Sequence, residues 1–184
     1  RLYLLFESPP DKDIIWSEDR IQGMFRFLNR VWSLASKYME DFKQASPRDI
    51  AAGEINGLAD DEAGLYRKVN QTVKDVTERI DRWTFNTAIA SMMELFNRMT
   101  DFDLGDGENR DRRIGLLCWA FERFVLMLNP FCPHFAEELW RELGYETSSF
   151  RLPWPSYDAN ALVKDTFELV LQVNGKVRAR VEAR

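Results

Sequence analysis

The stretch that decides the fold runs from Arg113 to Leu143 and reads RIGLLCWAFERFVLMLNPFCPHFAEELWREL. In its first half, apolar residues recur three and four positions apart, which is the spacing of an amphipathic helix. Additional apolar residues widen the stripe until most sides are apolar, so we expect a central helix rather than a surface one. The apolar positions are Ile114, Leu116, Leu117, Cys118, Trp119, Phe121, Phe124, Val125, Leu126 and Leu128.

A proline corner follows this helix. Asn129-Pro130 ends it, because proline lacks a backbone donor and crowds the preceding turn. Pro133 suits the first turn of a second helix, and Gly144 suits the position after its C-terminus. The pattern therefore predicts a helix, a corner and a helix, with both helices in the core of a bundle.

Three more helical patterns lie upstream. Their apolar residues keep helical period from about residue 19 to 42, from about 60 to 81, and from an N-cap at Thr84 or Asn86 onward. The first pattern places Phe25 on the inward face. Together with the central pair, these segments predict a mainly α fold, an antiparallel helical bundle.

The remaining upstream segments are connections. Residues 1–7 could finish a helix or a strand before Ser8-Pro9-Pro10, and residues 11–17 read as a polar connector anchored by Ile14, Ile15 and Trp16. Residues 43–59 show little periodicity and predict a long connection between helices.

The chain changes character after the bundle. Residues 147–163 contain Pro153 and Pro155 and predict a linker that lies along the bundle, held by Trp154. Residues 167–173 then alternate between apolar and polar, as a half-buried strand does, and Asn174-Gly175 is a strong hairpin signal. We therefore expect a short β-hairpin after the helices.

Composition limits the function classes. The 184 residues carry a net charge of −5, which by itself argues against a nucleic-acid binder. However, the segment from Glu40 to Glu62 holds seven acids and two bases, so the rest of the chain is neutral and can still form a basic face. No run approaches the roughly 20 apolar residues of a membrane span. No signal peptide is visible, and we interpret the chain as a piece of a longer one.

No catalytic or metal site is predicted. The chain has one histidine, His134, and two cysteines, Cys118 and Cys132, so usual metal-ligand spacings cannot be assembled. Both thiols are expected to be reduced and structural, which agrees with a cytoplasmic protein. His134 is interpreted as a helix-start residue.

Three groups of polar and basic residues are candidate nucleic-acid contacts. The first lies on one face of the helix over 19–42, where it is either a solvated face or a stripe that follows successive phosphates. The second opens the central helix, where cations oppose the helix dipole and would suit either solvent or a phosphate partner. The third lies on the return strand of the hairpin, where strand alternation puts three cations on one side, suited to a phosphate contact. The candidates are Arg26, Asn29, Arg30, Lys37, Arg110, Arg112, Arg113, Lys176, Arg178 and Arg180.

Several motifs carry a family resemblance. NPFCPHFAEELWRELGY at 129–145 resembles the helical corner of the tRNA-binding bundle in class I aminoacyl-tRNA synthetases. ESPPDKDIIWS at 7–17 and QVNGKVR at 172–178 resemble the bacterial leucyl branch of that family, as do MFRFLNRVW and FNTAIA. The family commonly has a His-Lys pair where this chain has Asn70-Gln71, and we expect that departure to change only surface detail and local contacts.

The resemblance implies a domain division. Residues 1–17 would end the connection from a catalytic core, 18–146 would form the anticodon-binding-type bundle, 147–163 the linker, and 164–184 the hairpin that opens a C-terminal domain. The parent enzyme would join leucine to its tRNA through leucyl-adenylate, using ATP and Mg²⁺. The chain itself lacks the HIGH-like and KMSKS-like motifs, so it is expected to hold tRNA without catalysis and without a cofactor.

The resemblance also implies partners: leucine tRNA, held by backbone contacts rather than base readout, and the catalytic core of the same, monomeric protein. Two alternatives stay open. The bundle could belong to a valyl-, isoleucyl- or methionyl-tRNA synthetase. It could instead be a helical protein-interaction module, although its aromatic residues are expected mostly on buried faces.

Overall fold

The computed structural model describes residues 1–45, 47, 54–107, 109–163, 167–173 and 176–183, of which the last two ranges are described by their backbone alone. The helices are α1 (Leu2–Glu7), α2 (Glu18–Gln44), α3 (Asp60–Asp81), α4 (Phe85–Thr100), α5 (Asn109–Leu128) and α6 (Pro133–Glu142). Short 3-10 turns occupy Glu54–Gly57, Ser149–Arg151 and Asn160–Leu162, and the strands are β1 (Phe167–Val173) and β2 (Lys176–Ala183). The predicted mainly helical fold is confirmed.

Helix α5 lies at the centre of the bundle, in contact with α2, α3, α4 and α6. Every residue from Ile114 to Phe121 is buried, so the helix is enclosed on all sides over two turns. Phe121 stacks on Phe42 of α2, and Phe124 packs against Phe96 of α4. The sequence prediction of a central helix is therefore correct, and its all-round apolar surface is the reason.

The proline corner also forms as predicted. The backbone N–H groups of Phe131 and Cys132 both donate to the carbonyl of Leu128, each at 2.9 Å, which closes α5. Pro133 occupies the first turn of α6. Gly144 follows that helix with a φ of 94°, a left-handed conformation that favours glycine.

The N-terminal segments depart from expectation. Phe25 is 60% exposed, although the helical period placed it inward, and Ile15 and Trp16 are 83% and 66% exposed rather than anchored in the core. The reason is that α1 is only six residues long, so it covers the first turns of α2 incompletely. Helix α1 itself packs on α2 and α4 and buries Leu2 and Tyr3.

The linker lies along the bundle, as predicted. Trp154 donates from Nε1 to Thr77 Oγ1 at 2.8 Å, and Ala161 is buried. Asn70 is 2% exposed, and its Oδ1 accepts a hydrogen bond from the backbone N–H of Asp158 at 2.7 Å. The expectation that Asn70 affects only surface detail is therefore wrong, because this side chain is buried between α3 and the linker.

The two strands pair antiparallel, with Phe167 opposite Ala183 and Val173 opposite Lys176. Their register shifts between Leu171 and Gln172. The predicted turn at Asn174-Gly175 lies outside the described residues. Among the helices of the described part, none is both long enough and apolar enough to cross a membrane.

Candidate nucleic-acid interface

The predicted stripe on α2 lies beside α4. Arg26, Asn29, Arg30 and Lys37 are all exposed, because their spacing of three and four residues keeps them on one helix face. The last three line a groove of about 360 Å³ between the two helices, and Leu34 and Phe96 form its apolar floor. The structure thus places the four α2 candidates on one exposed helix face; we call this face, together with the groove that it borders, the α2–α4 groove.

The cations of this groove differ in the contacts that they make within the protein. Arg30 donates from Nη2 to Asn97 Oδ1 at 2.9 Å, and its guanidinium lies 5.1 Å from the centre of the Phe96 ring. The Lys37 ammonium lies 4.7 Å from the centre of the Tyr38 ring. Within the described ranges, no carboxylate forms a salt bridge with Arg26, Arg30 or Lys37. Their charge is therefore available to an external anion.

The arginines at the start of α5 have a different environment. Arg110 makes a two-pronged hydrogen bond to Asp41, with both N–O distances at 3.0 Å, and this contact raises the pKa of Arg110. Asp41 lies in the last turn of α2. Arg110 is thus tied to the neighbouring helix, with its side chain 40% exposed.

Arg112 and Arg113 contact the first turn of α3. Arg112 Nη2 lies 2.8 Å from Oε1 of the buried Glu62, a salt-bridge distance without the angle of a hydrogen bond. Arg113 donates to both carboxylate oxygens of Asp61 and, from Nε, to the carbonyl of Asp103 at 2.7 Å. The Asp61 contact lowers the pKa of Asp61 and raises that of Arg113.

These contacts stabilise the three arginines at the start of α5, whose positive charges are unfavourable beside the helix dipole. Carboxylates from the two ends of the acidic 40–62 segment offset the charges of these arginines, so a phosphate partner is not needed for that purpose. Arg113 is only 12% exposed and lies 4.5 Å from the centre of the Phe102 ring, which gives it a structural role. The complementary charges of the two segments were visible in the sequence, but their proximity was not.

The third candidate group lies on β2. The prediction that Lys176, Arg178 and Arg180 share one face assumed unbroken alternation along the strand. In the observed register, Lys176 is opposite Val173 and Arg180 is opposite Val170, whereas Arg178 falls at the irregularity and has no partner position. The register shift interrupts the alternation on which the shared face depended.

A half-buried carboxyl group, that of Glu122, lies away from these surfaces. Glu122 of α5 accepts a hydrogen bond from the Tyr145 hydroxyl, beside a cavity of about 700 Å³ between α5, α6 and the linker. Burial raises the pKa of Glu122. Burial also raises the pKa of the free Cys118 and Cys132 thiols to about 12, so both are protonated and unreactive at neutral pH. His134 lies exposed in the first turn of α6, as predicted.

Residues 62–183 match the family described as the anticodon-binding domain of tRNA ligase. The chain is 41% identical over 182 residues to a leucine–tRNA ligase of Desulfatibacillum aliphaticivorans, covering 98% of this chain and 20% of that one. It is 43% identical over 182 residues to a leucine–tRNA ligase of Geotalea daltonii, covering 98% and 21%. The chain therefore spans about a fifth of the length of these relatives.

A solved structure is similar over the whole chain. It is the crystal structure of the ternary LeuRS–tRNA–LeuAMS complex of Agrobacterium radiobacter. The similarity has a TM-score of 0.82 and 26% sequence identity, and it covers 100% of this chain and 23% of that one.

Proposed function

The chain belongs to the anticodon-binding domain family of tRNA ligases, and from this premise we propose that it is the tRNA-holding bundle of a leucine–tRNA ligase. The resemblance to the leucyl branch is confirmed by relatives at 41% and 43% identity over nearly the whole chain. The valyl, isoleucyl and methionyl alternatives are not favoured, because the relatives matched at that level are leucine–tRNA ligases.

The observation that carries the proposal is the α2–α4 groove. Arg26, Arg30 and Lys37 lie on its exposed side without a carboxylate salt bridge among the described residues, so they can neutralise successive phosphates of one RNA strand. Asn29 adds a neutral donor on the same face. Such contacts set the position and register of an RNA without reading its sequence.

The basic residues can also be ranked as tRNA contacts by how far their charges are already paired within the protein. The three cations of the α2–α4 groove form the primary contact, and Arg110 and Arg112 contribute only to the extent that their carboxylate partners leave charge exposed. Arg113 is assigned to the bundle itself, since its contacts with Asp61 and Asp103 use the guanidinium on both sides.

The parent activity is part of the same proposal. The longer protein would join leucine to its tRNA through leucyl-adenylate, with ATP and Mg²⁺ bound by a catalytic core outside this chain. That protein would act in the cytoplasm as a monomer. Strands β1 and β2 would form the hairpin that opens its C-terminal domain, with Lys176, Arg178 and Arg180 as further contacts to tRNA.

The test is fluorescence anisotropy of labelled leucine tRNA with this chain at about 50 mM and about 200 mM salt, beside a non-cognate tRNA. A few phosphate contacts predict a slope of log K against log salt on the order of −1 per contact. We expect binding that weakens steeply with salt and differs little between the two tRNAs. No binding at the lower salt concentration, or binding that is insensitive to salt, would contradict the proposal.

A further inference from the structure

The cavity of about 700 Å³ between α5, the end of α6 and the linker has no part in the proposed tRNA contacts. We call it the linker cavity, and Glu122, Trp140, Tyr145, Leu152 and Trp154 are among the residues that line it. Sites for small molecules commonly have volumes of roughly 300–1,000 Å³ and apolar walls with a few polar groups. The size and lining of this cavity are therefore those of a small-molecule site.

Aromatic rings supply much of the cavity wall. The Trp140 and Tyr145 rings stack, with 4.0 Å between their centres and 18° between their planes. Trp140 donates from Nε1 to the carbonyl of Thr147 at 3.0 Å, and Trp154 donates from Nε1 to Thr77 Oγ1 at 2.8 Å. These bonds use the edges of the indole rings and hold both rings in place. Because the face of an aromatic ring carries partial negative charge, such a wall attracts a cation.

Glu122 adds a carboxyl group to the aromatic wall. One of its oxygens accepts the hydrogen bond from the Tyr145 hydroxyl. Among the described residues, no basic side chain forms a salt bridge with Glu122. The neighbouring Arg123 packs on Trp119, with its guanidinium 4.1 Å from the ring centre, and opposes the increase in the Glu122 pKa only in part. A half-buried carboxyl group of this kind is stabilised in its ionised form by a cation that enters the cavity.

We propose that the linker cavity binds the alkylammonium group of an organic cation, with Glu122 as its counter-ion and the aromatic rings as its wall. The carbon atoms beside an ammonium nitrogen suit the rings, and its charge suits the carboxylate. A metal ion fits less well, because it needs several oxygen, nitrogen or sulfur ligands and the described residues contain no such cluster. The inference does not depend on the tRNA role of the chain.

The first test compares choline with its neutral isostere, in which a tert-butyl group replaces the trimethylammonium group. Heteronuclear NMR follows the indole N–H signals of Trp140 and Trp154 during each titration, and Trp83, which is 67% exposed on the α3–α4 turn, is the internal control. We expect saturable shifts of the two cavity signals, an unchanged Trp83 signal and an affinity for choline about fivefold or more above that for the isostere. Equal affinities, or no saturable shift of the cavity signals, would overturn the proposal.

A single variant tests the counter-ion. Glu122→Gln keeps an acceptor for Tyr145 and removes the charge, so the affinity for choline should fall to that of the isostere. The matched control, Glu146→Gln, removes an exposed carboxylate from the cavity rim and should change the affinity by less than about twofold, because solvent screens exposed charges. Equal losses in both variants would show a general effect of negative charge and contradict the role of Glu122.

The pH dependence of binding distinguishes an ionic role of Glu122 from a structural one. Choline keeps its charge at every pH, so its affinity should increase between about pH 5 and about pH 8 as Glu122 ionises, and Glu122→Gln should lose this increase. The other titratable groups in or beside the cavity are Cys118, Arg123, Tyr145 and Glu146. Burial raises the pKa values of Cys118 and Tyr145, so neither ionises in this range. Identical profiles of the parent chain and Glu122→Gln would overturn the proposal.

An alkylammonium group can come from a free amine or from a lysine side chain of a partner protein. Acetyl-lysine methylamide, acetylated on its α-nitrogen, carries the second kind of ammonium group and is titrated in the same way. Tighter binding than choline would assign the site to a lysine side chain, and weaker binding would assign it to a free organic cation. A failure of both ligands to shift the Trp140 and Trp154 signals would overturn the proposal.

The tRNA measurement keeps this inference separate from the proposed function. Glu122→Gln leaves the α2–α4 groove unchanged, so its affinity for leucine tRNA should equal that of the parent chain. A parent chain that binds tRNA without binding either ammonium ligand would refute the cavity proposal alone. A parent chain that binds choline but no tRNA would support the cavity proposal and refute the RNA role of the groove.

Discussion

Asn70 fastens the linker to the bundle through Asp158. The Asn70 Oδ1 accepts a hydrogen bond from the Asp158 backbone N–H at 2.7 Å, and its Nδ2 donates to the Tyr66 carbonyl at 2.9 Å. The Asn70 side chain is 2% exposed, and its bond to Tyr66 is buried while the bond from Asp158 is partly buried. A single amide side chain thus joins one backbone group of α3 to one of the linker.

Replacing this amide should loosen the linker. Asn70→Ala leaves the backbone N–H of Asp158 without its acceptor, so we expect a loss of about 1–3 kcal/mol in the free energy of unfolding. Urea denaturation measures the loss, and hydrogen exchange should be faster across residues 153–162. Gln22→Ala, an exposed polar side chain on α2, is the control and should change neither. An unaltered stability of Asn70→Ala would show that water replaces the lost bonds.

Arg113 should contribute more to stability than to RNA binding. Arg113→Met removes charge-assisted hydrogen bonds to Asp61 and Asp103, and we expect a loss of roughly 2 kcal/mol in the free energy of unfolding. The affinity for tRNA at a temperature where the variant is folded should be unchanged. A variant of full stability that binds tRNA weakly would reverse this assignment.

The same pair predicts an acid dependence. Because Arg113 lowers the pKa of Asp61 below its ordinary value of 3.8, the native state favours the ionised carboxylate. The resulting stability is present above pH 3.8 and is lost as the pH falls through the lower pKa of the folded state. Melting temperatures of the parent chain and Arg113→Met should therefore converge as the pH is lowered through this range. A constant difference would contradict the linkage.

Charge reversal in the α2–α4 groove tests the RNA role. Arg26→Glu with Lys37→Glu replaces two cations that form no carboxylate salt bridge in the described chain, and we expect tRNA binding to weaken by about tenfold or more. The melting temperature should stay nearly constant, because both side chains are exposed. Arg30 is a less direct probe, since its reversal would also break the contact with Asn97.

The matched control reverses two exposed cations elsewhere. Arg82→Glu with Arg141→Glu makes the same change in net charge on side chains that are 75% and 68% exposed. If it weakens binding as much as the groove variant does, the effect is one of net charge. A groove variant that unfolds would instead show that the stripe is structural.

For Glu122 we predict a contribution to stability that depends on pH in the opposite direction. Burial raises its pKa above the ordinary 4.5, while the Tyr145 hydrogen bond and the Arg123 charge partly oppose the increase. The native state therefore favours the protonated acid, whose contribution to stability is present below pH 4.5 and is lost as the pH rises through the folded-state pKa.

Glu122→Gln should remove this dependence, because the amide keeps an acceptor for Tyr145 without a charge. Melting temperatures at pH 4 and pH 7, compared with the control Glu146→Gln, measure the effect. We expect the variant to be more stable than the parent chain at pH 7 and to differ little from it at pH 4. A loss at pH 7 would mean that the ionised carboxylate is stabilised in place.

The bundle could be predicted from the sequence because the signals that begin, end and orient its helices each lie within the helix or next to it. The period of α3, the proline at the start of α6 and the glycine after it each act over a few residues, and the structure has these elements where they were expected. Phe25 was misplaced for the same reason, since period identifies a face but not whether another element covers that face.

The amino-acid sequence by itself determined the helices, the proline corner, the central position of α5 and the resemblance to the leucyl family. Tertiary structure alone decided which charges remain available. Arg113 and Arg26 cannot be distinguished in the sequence, where both are arginines of predicted helices. In the folded protein, Asp61 lies beside Arg113 although it is 52 positions away in sequence. No described carboxylate forms a salt bridge with Arg26. Helix periodicity is a local property, whereas the pairing of a charge depends on how distant segments pack, and that packing is fixed only when the whole core assembles.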